Sequence, residues 1–377
     1  MFDALISGSG VNGAALALLL DQAGFNIKVI DHHPIDLSES PRTVTLNLQS
    51  LQLLEKIGIE IPSTPINNIE VRDAVGSGKI TFHASDILEN ELARTVYFAD
   101  LTEALNTKIK TIVSDSVSQE ISTGADKISV ECKDGNICNA RLLIASDAKL
   151  KPIKQFFALS DPKDYQQQAA TFIVQADNMD TSTATQVFYN KDIFALMPIH
   201  DRENPQGNNF SVVWSLDIQE VNLQTYVLQH LPRLENILGT KLHILSEIES
   251  FPLKSFTTNK YHAERACLIG DAAHIIHPMA GQGLNLGLAD CSTLFAEITK
   301  ANESGIDIGS SQVLKKYEIK RKIFNDSMVK GVDRIHALFQ SDDIYMRLLR
   351  NNGLTLVNRI DPLKKFFIKS AEGIFGI

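Results

Sequence analysis

The chain has 377 residues and a net charge of −9 at pH 7, and 44% of its residues are hydrophobic while 21% are charged. This composition is typical of a soluble globular protein with room for two domains, and no apolar run nears the roughly 18 residues of a membrane span. The acidic balance argues against nucleic acid as a partner, because phosphate binding needs a basic surface that the sequence lacks.

The N-terminal segment predicts a strand, a glycine turn, a helix and a second strand in succession. In "FDALISGSGVNGAALALLLDQAGFNIKVID", an apolar strand is followed by Gly8, Gly10 and Gly13 in the pattern GxGxxG, and a later apolar strand ends on Asp31. The chain enters the first strand without a preceding basic segment. No signal peptide is therefore expected, and a cytoplasmic location is predicted.

The three glycines fit the turn that binds the pyrophosphate of a dinucleotide. Gly8 would make the tight turn, Gly10 would let the pyrophosphate approach the backbone, and Gly13 would let helix and strand pack closely. The helix N-terminus that follows offers free N–H groups and a partial positive charge. Asp31 lies eighteen positions after Gly13, about where an acid that binds ribose belongs. This context predicts a dinucleotide site, with a glycine turn that binds nothing as the alternative.

The middle of the chain predicts a second unit built on a mixed sheet. The segments "TFIVQAD", "TQVFYNKDIFALMPIH" and "NFSVVWSLD" are typical of strands separated by turns rich in Asn, Asp and Gly. The segment "IQEVNLQTYVLQHLPRLENILG" has a helical pattern, and "HILSEIESFPL" predicts a returning strand.

A further strand, turn and helix are predicted late in the chain, in "LIGDAAHIIHPMAGQGLNLGLADC". Such a unit can form the other half of a long dinucleotide site, which favours FAD. Asp271 would hold the ribityl and pyrophosphate side, and the helix that begins near Gly281 would direct its free N–H groups at the flavin ring. Gly281 and Gly283 would keep side chains off the ring plane. The predicted cofactor contacts of this second wall are Asp271, Gly281, Gln282, Gly283, Leu284 and Asn285.

Two histidines and an acid in the same stretch raise the alternative of a metal site. Asp271, His274 and His277 lie at a strand-to-turn junction that fixes no common helical face, and no further ligand is implied. The four cysteines form no CxxC pair, so neither a zinc site nor a disulfide framework is indicated. We therefore expect no metal, and we expect both histidines to pack and hydrogen-bond around the turn.

The stretch "GDAAHIIHPMAGQGLNLGLADCSTL" resembles the FAD-binding signature of the single-component flavin-dependent aromatic hydroxylases. Within that family, the chain is most similar to the ubiquinone-biosynthesis hydroxylase branch. The C-terminal segments "YEIKRKIFNDSMVKGVDRIHALFQSDD" and "LLRNNGLTLVNRIDPLKKFFIKSAEGIFG" resemble the same branch. The segment "SPRTVTLNLQSLQLLEKIGI" is similar to the part of the family in which an arginine contacts the flavin, which implies that role for Arg42.

The resemblance implies an α/β fold. Its parts are a doubly wound FAD-binding domain (a glutathione-reductase-like Rossmann variant), an inserted mixed β-sheet substrate domain, and C-terminal helices. The expected limits are residues 1–66, 92–160 and 255–330 for the discontinuous FAD-binding domain, 67–91 and 161–254 for the substrate domain, and 331–377 for the C-terminal helical segment.

The activity implied by the resemblance is that of an FAD-dependent aromatic-ring monooxygenase. In such enzymes NAD(P)H reduces the flavin, the reduced flavin takes up molecular oxygen, and a flavin hydroperoxide delivers one oxygen atom to an electron-rich phenol. The implied substrate is a polyprenylated phenol of ubiquinone biosynthesis. No catalytic acid or base is predicted, because the flavin carries the chemistry. The backbone around Pro278 is expected to face the reactive edge of the flavin.

In the family, the mixed sheet covers the flavin and shapes an apolar substrate cavity. Ordinary sheet core is the alternative for every apolar side chain on such a sheet. The candidates for the cavity lining are Phe188, Phe194, Met197, Pro198 and Trp214.

One motif departs from the family pattern. The family usually carries Asp-Gly-x-x-Ser-x-x-Arg after the strand that closes the nucleotide domain, whereas "LLIASDAKLKPIK" keeps Asp147 but has Ala148, Lys151 and Lys154 in the later places. The motif is linked in the family to binding of both FAD and the nicotinamide. Two alternatives therefore stay open: an FAD oxidoreductase acting on another aromatic substrate, and a non-catalytic flavoprotein that scaffolds a biosynthetic assembly.

The C-terminal segment "DPLKKFFIKSAEGIFGI" mixes lysines with Phe and Ile at helical spacing. It can cap the core, dock a partner helix or lie on a membrane, where Lys364, Lys365 and Lys369 would meet anionic lipid. The expected partners are a prenylated phenol and molecular oxygen, with peripheral contact to the inner face of the membrane and a homo-oligomer or biosynthetic complex left open. The apolar area of a membrane contact would come from Phe366, Phe367, Ile368 and Ile374.

Overall fold

The structure is a computed structural model that describes residues 1–31, 40–74, 78–109, 113–115, 118–147, 151–189, 191–200, 207–216, 222–278, 281–340, 360, 364, 365 and 368. The helices in these ranges are α1 (Val11–Gln22), α2 (Leu48–Lys56), α3 (Phe98–Ile109), α4 (Lys151–Phe157), α5 (Leu223–Leu238), α6 (Gly283–Glu303) and α7 (Ser311–Gln340).

An eight-stranded sheet contains β1 (Phe2–Ser7), β2 (Ile27–Asp31), β8 (Val113–Asp115), β9 (Ser118–Thr123), β10 (Ile128–Cys132), β11 (Ile137–Ala145), β18 (His262–Ala263) and β19 (Ala266–Leu268). Its central strands follow the order β19-β11-β1-β2-β8, and each neighbouring pair is parallel. These strands are short apolar runs because both faces of a parallel sheet are covered, and Leu5, Ile6 and Leu143 are fully buried.

A nine-stranded sheet contains β5 (Asn68–Asp73), β6 (Lys79–His83), β12 (Lys163–Ala176), β13 (Thr183–Tyr189), β14 (Asp192–Pro198), β15 (Asn209–Leu216), β16 (Leu242–Ile244), β17 (Glu249–Thr257) and β20 (His274–Ile275). The pairs β12–β15, β15–β14 and β14–β13 are antiparallel while β13–β5 is parallel, so the sheet is mixed as predicted. A small third sheet joins β3 (Thr43–Asn47), β7 (Ala93–Tyr97) and β4 (Thr64–Ile66).

The predicted fold class is confirmed by these two large sheets and the helices around them. The exact limits of the domains stay a prediction, and the limit at residue 331 falls inside α7. Within the described ranges, no helix is both long enough and apolar enough to cross a membrane.

The two faces of the nine-stranded sheet differ in what covers them. Phe194 lies opposite Trp214, and their rings meet edge to face at 5.4 Å in a core that includes side chains of α5. Both are therefore ordinary sheet core, which was the alternative to cavity lining. Phe188 is also packed, because its ring stacks on Phe339 at 3.5 Å. Met197 is half-buried and lies on the face of β14 opposite to Phe194, as strand alternation requires.

Helix α7 packs against both large sheets over thirty residues. Near its start, the Tyr317 hydroxyl donates to the Leu268 carbonyl of β19 at 2.8 Å. Near its end, His336 Nε2 lies 3.0 Å from Gln167 Oε1 on β12, and Phe339 reaches the sheet beyond it. One helix therefore holds the two sheets in a fixed relation to each other.

The described residues of the C-terminal segment contact the protein core. The Lys364 ammonium is 2.7 Å from Asp86, and Ile368 is buried with Ala84 and Leu92. For Lys364 and Ile368, the structure therefore supports the alternative of capping the core over that of lipid contact, because an ion pair and packed apolar contacts already engage them. Lys365 is exposed, while residues 366, 367, 369 and 374 lie outside the described residues.

Candidate functional site

The carboxyl ends of four parallel strands meet at one edge of the eight-stranded sheet. Gly8 follows β1, Asp31 ends β2, Asp147 follows β11 and Gly270 follows β19. In sheets of this kind, ligands bind at the carboxyl ends of the strands. The structure thus brings the early glycine motif and the late "GDAAH" turn to the same edge, as the sequence predicted.

The glycine turn after β1 is close-packed on one side and open on the other. A Cβ atom on Gly13 would lie 1.9 Å from the Gly8 carbonyl oxygen, so only glycine fits there. The Ser146 hydroxyl donates to the same carbonyl at 2.9 Å. A Cβ atom on Gly10 would meet no atom within 4 Å. This open space at the N-terminus of α1 fits an incoming pyrophosphate.

Asp31 orients the glycine turn through Ser9, a residue that the sequence analysis did not single out. The Ser9 hydroxyl donates to Asp31 Oδ2 at 2.6 Å, and the Ser9 backbone N–H donates to the same oxygen. Asp31 therefore lies at the strand edge where the ribose-binding acid was predicted. Its bonds to the turn also give it a structural role.

Asn12 joins the early and late motifs. A Cβ atom on Gly270, whose φ is +56°, would lie 2.2 Å from the Asn12 amide nitrogen, and one on Gly287 would lie 2.3 Å from it. The Cys291 thiol also donates to the Asn12 carbonyl at 3.2 Å. Asn12 in α1 thus sits directly between the late turn and α6, and a side chain at either glycine position would require the Asn12 side chain to move.

The N-terminus of α6 is directed by the side chain of Asn285. Its Oδ1 accepts from the Asn47 N–H at 3.0 Å and from the Ser50 hydroxyl at 2.8 Å. Its amide nitrogen donates to the carbonyls of Thr45 at 2.9 Å and Gly281 at 3.1 Å. Since the side chain is fully used by the protein, a cofactor contact of Asn285 would be made through its backbone N–H.

The other predicted residues of this wall lie nearby. Gln282 is the N-cap of α6 and makes no side-chain capping bond, so the first N–H groups of α6 stay available. Gly281 is exposed with a φ of +60°, Gly283 is half-buried, and Leu284 packs against the core.

We expect Asn285→Asp to lower the free energy of unfolding by about 1–3 kcal/mol, because a carboxylate cannot donate to the two carbonyls that the amide serves. Thermal or urea unfolding of the apoprotein measures this. The exposed Asn302 at the end of α6 gives the matched control, and Asn302→Asp should change stability by less than about 1 kcal/mol. Equal effects of the two substitutions would contradict the conclusion that the Asn285 side chain holds the start of α6 in place.

Arg42 and Asp271 share one electrostatic environment. The Arg42 guanidinium lies over the Phe98 ring at 4.3 Å and over the Phe251 ring at 5.8 Å. Desolvation lowers the pKa of Arg42, while the carboxylates of Asp271 and Glu249 oppose that shift. The guanidinium stays charged at neutral pH. The structure therefore places a cation beside the predicted cofactor-binding acid.

A buried charged network lies directly behind the late turn. Asp290 is fully buried in α6, and its carboxylate lies 2.6 Å from His274 Nε2 and accepts from Arg321 Nε at 2.7 Å. It also accepts from the Asn325 amide at 3.0 Å and from the Gly270 N–H at 3.1 Å. Burial alone would raise the pKa of Asp290, but the charges of His274 and Arg321 lower it below its usual range.

This network was not predicted from the sequence. The available signal was an acid inside an otherwise apolar helical run, "LNLGLADC", since a buried acid needs partners. His274 hydrogen-bonds near the turn, as expected.

His277 belongs to an aromatic cluster next to Pro278. Its ring lies 4.8 Å from that of His336 and 5.1 Å from that of Tyr165. Burial and the neighbouring His336 lower the pKa of His277 to about 3, so its ring is neutral at physiological pH. Among the described residues, no group of three His, Cys, Asp or Glu side chains could hold a metal ion.

One face of the nine-stranded sheet covers the start of α6. The Thr45 hydroxyl donates to the Met197 sulfur at 3.4 Å. A Cβ atom added to Gly281 would lie 3.8 Å from the Thr45 Cβ. Thr43 and Ser211 are joined by a buried hydroxyl contact of 2.6 Å. Of the predicted lining residues, Met197 contacts Thr45 next to this turn and also packs against Ile66, Ala93 and Ala184, while Pro198 is buried.

The departures from the usual Asp-Gly-x-x-Ser-x-x-Arg motif lie beside the glycine turn. A Cβ on Gly8 would lie 3.2 Å from the Asp147 Cβ, so the retained acid adjoins the predicted pyrophosphate position. Lys151 is exposed, and Lys154 pairs with Asp161 at 2.9 Å. Ala148 lies outside the described residues.

Over residues 1–79 and 139–332, the chain matches the family described as FAD binding domain. The chain belongs to this family. FAD is therefore its cofactor, as the two glycine-rich walls predicted, and the open space above Gly10 and the uncapped start of α6 fit that group.

The chain is similar along nearly its whole length to curated ubiquinone-pathway enzymes. It is 27% identical to the mitochondrial ubiquinone biosynthesis monooxygenase COQ6 of Dictyostelium discoideum, over 99% of this chain and 91% of that protein. It is 28% identical to the 3-demethoxyubiquinol 3-hydroxylase of Escherichia coli, over 98% of both chains. The resemblance to the ubiquinone-biosynthesis hydroxylases is thereby confirmed.

A solved structure shows the same fold. A variant of Klebsiella pneumoniae HpxO complexed with FAD superposes with a TM-score of 0.79 at 17% identity, over 98% of this chain and 99% of that chain.

Proposed function

We propose that the protein is an FAD-dependent monooxygenase that hydroxylates the aromatic ring of a polyprenylated phenol in ubiquinone biosynthesis, with NAD(P)H and molecular oxygen as co-substrates. The observation that carries the proposal is the meeting of the two glycine-rich motifs at one strand edge, under one face of a mixed sheet. The relatives whose names place them in ubiquinone biosynthesis or ubiquinone hydroxylation, and which match almost the whole chain, support the substrate class.

In this proposal, each part of the edge holds a different part of the cofactor. Gly8, Gly10, Gly13 and the start of α1 bind the pyrophosphate, and Asp31 binds the ribose of the adenosine half. The remaining contacts are assigned to Arg42, Asp271 and the backbone of Gly281, Gln282, Gly283, Leu284 and Asn285.

Bound FAD supplies the electron transfer and oxygen activation, and the protein controls the surroundings of the ring. With FAD bound, the partial positive charge at the start of α6 would favour negative charge on the flavin ring. The sheet face with Met197 excludes water and orients the apolar substrate. His277 lies next to Pro278 and is neutral, so it adds no positive charge to the region around Pro278 that is predicted to face the flavin.

The purified protein should carry non-covalent FAD that is released intact by denaturation, and the prenylated phenol should stimulate its oxygen consumption. Stoichiometric hydroxylated product distinguishes a monooxygenase from an FAD oxidoreductase on another aromatic substrate. Bound FAD with no oxygen consumption on any phenol would favour the scaffold. In a strain that lacks the protein, the accumulating quinone intermediate identifies the missing step.

A substitution at the half-buried Val213 can test whether the substrate lies against this face of the sheet. Val213 pairs across the sheet with half-buried Ala195, on the same face as Met197. Val213→Phe should leave FAD binding intact and lower substrate-stimulated flavin reduction about 10-fold or more, if the added volume costs about 1–3 kcal/mol of substrate binding.

Its neighbour Val212 provides the control. Val212 is fully buried on the α5 side of the sheet, so Val212→Phe should destabilise the whole protein by overpacking. Unchanged substrate dependence in Val213→Phe would place the substrate elsewhere.

A further inference from the structure

Two isoleucines are exposed on the outer face of α7. Ile319 is 55% exposed and Ile323 is 67% exposed, although most apolar side chains of α7 pack inward. They lie four residues apart and so occupy neighbouring positions on one helix face. A single exposed isoleucine is ordinary, but an adjacent pair among charged side chains indicates a contact surface.

The same face carries basic side chains. Lys316, Lys330 and Arg334 are exposed, and at 100° per residue they fall with the two isoleucines within a sector of about 60°. We call these five residues the α7 stripe: Lys316, Ile319, Ile323, Lys330 and Arg334. From Lys316 to Arg334 the stripe spans about 27 Å at 1.5 Å per residue.

The acids of α7 do not neutralise the stripe. Helix α7 contains seven basic and three acidic residues. Glu318 accepts from the Tyr261 N–H at 2.6 Å, and Asp326 binds Thr257 at 2.5 Å and the ammonium of Lys322. The remaining acid, Asp333, accepts from the Tyr165 hydroxyl. Each of the three carboxylates therefore already has a partner within the protein.

We infer that the α7 stripe docks the protein on an anionic lipid surface. A net charge of −9 would repel the protein from such a surface unless its basic groups are concentrated on one side, and the stripe concentrates them. Charges beyond about 8–10 Å are screened at physiological salt, so the distant acids do not cancel the stripe. Lysines that flank exposed isoleucines on a helix parallel to the surface fit lipid headgroups and the acyl boundary beneath them.

This docking is independent of the hydroxylase assignment, and it places a membrane contact on α7. Lys364 is held by Asp86 and cannot serve, whereas the stripe is free of internal ion pairs in the described structure. An acidic protein partner is the competing occupant. The stripe runs along one side of a helix for about 27 Å, which suits a broad planar surface.

Co-sedimentation of the FAD-loaded protein with vesicles tests the inference. We expect binding to vesicles of phosphatidylcholine with phosphatidylglycerol, weak binding to phosphatidylcholine alone, and loss of binding at high salt. Lys316→Gln with Lys330→Gln should weaken binding about 25-fold, since each basic residue contributes about 1 kcal/mol near an anionic surface. Ile323→Ser should weaken it about fivefold or more at each salt concentration at which the wild type still binds.

Exposed residues in another part of the protein give matched controls. Lys127 and Lys133 flank β10, and Ile137 is 62% exposed at the start of β11. Lys127→Gln with Lys133→Gln, and separately Ile137→Ser, should leave vesicle binding unchanged. The inference is overturned if the wild type ignores anionic vesicles, if the controls lose as much binding as the stripe variants, or if the stripe captures only an acidic protein.

Discussion

Gly10→Val is expected to lower the affinity for FAD about 100-fold while the apoprotein keeps its stability within about 1 kcal/mol. A Cβ on Gly10 meets no protein atom within 4 Å, and the backbone there has a φ of −58°, which valine adopts without strain. The added branches would instead occupy the space of the pyrophosphate. Overpacking against a group that cannot move costs about 1–3 kcal/mol or more, and each 1.4 kcal/mol is tenfold in affinity.

Gly13→Ala serves as the contrast for this experiment. Its Cβ would lie 1.9 Å from the Gly8 carbonyl oxygen, so the strand, turn and helix must separate and stability should fall with FAD affinity. FAD titration and thermal unfolding of the apoprotein measure both quantities for both variants. If Gly10→Val lost stability as much as affinity, Gly10 would be a structural residue and the pyrophosphate would lie elsewhere.

Asp290→Asn should lower the free energy of unfolding by about 3–5 kcal/mol, the cost of removing one partner from a buried ion pair. The neutral amide leaves the Arg321 guanidinium buried without a carboxylate and places a donor where Asn325 donates. Urea unfolding followed by circular dichroism measures the loss. Asp326→Asn is the matched control, because its carboxylate is 22% exposed and its loss should cost about 1 kcal/mol or less.

The same network predicts a dependence on pH. The folded-state pKa of Asp290 is lowered, so its contribution to stability is complete above the unfolded pKa of about 4 and is lost as pH falls toward the folded value. The stability of the wild type should therefore decline below about pH 4 more steeply than that of Asp290→Asn. If the free energy of unfolding fell equally with pH in the two proteins, protonation of Asp290 would not be what destabilises the folded state in acid.

The sequence predicted the two walls of the site because each depends on local pattern. The GxGxxG motif and the turn before α6 each require particular residues for local reasons of backbone geometry. At Gly13, for example, the backbone leaves no space for a side chain. Asn12 occupies a variable position of the pattern, and its packing against Gly270 depends on a contact between residues far apart in the chain. Local periodicity contains no information on that contact.

The lining of the sheet shows a second limit of the sequence. Phe194 and Met197 were predicted to share one cavity, but three positions separate them, and side chains alternate along a strand. They therefore point to opposite faces, and the large apolar Phe194 lies on the side of α5. Met197 lies on the other side, where its sulfur accepts from the Thr45 hydroxyl of the small third sheet, a contact that strand periodicity does not predict.

The position of Asn12 also determines when the site can form during synthesis. Residues 1–31 contain a complete glycine turn, yet the strand β11 beside β1, the strand β19 beyond β11 and the glycines that flank Asn12 come from residues 137–145 and 266–287. Domains generally fold as units as the chain emerges, and contacts between distant residues must wait for the later partner. A nascent chain that ends before α6 therefore has one wall of the cofactor site without the other, and full FAD binding begins only after roughly three quarters of the protein has left the ribosome.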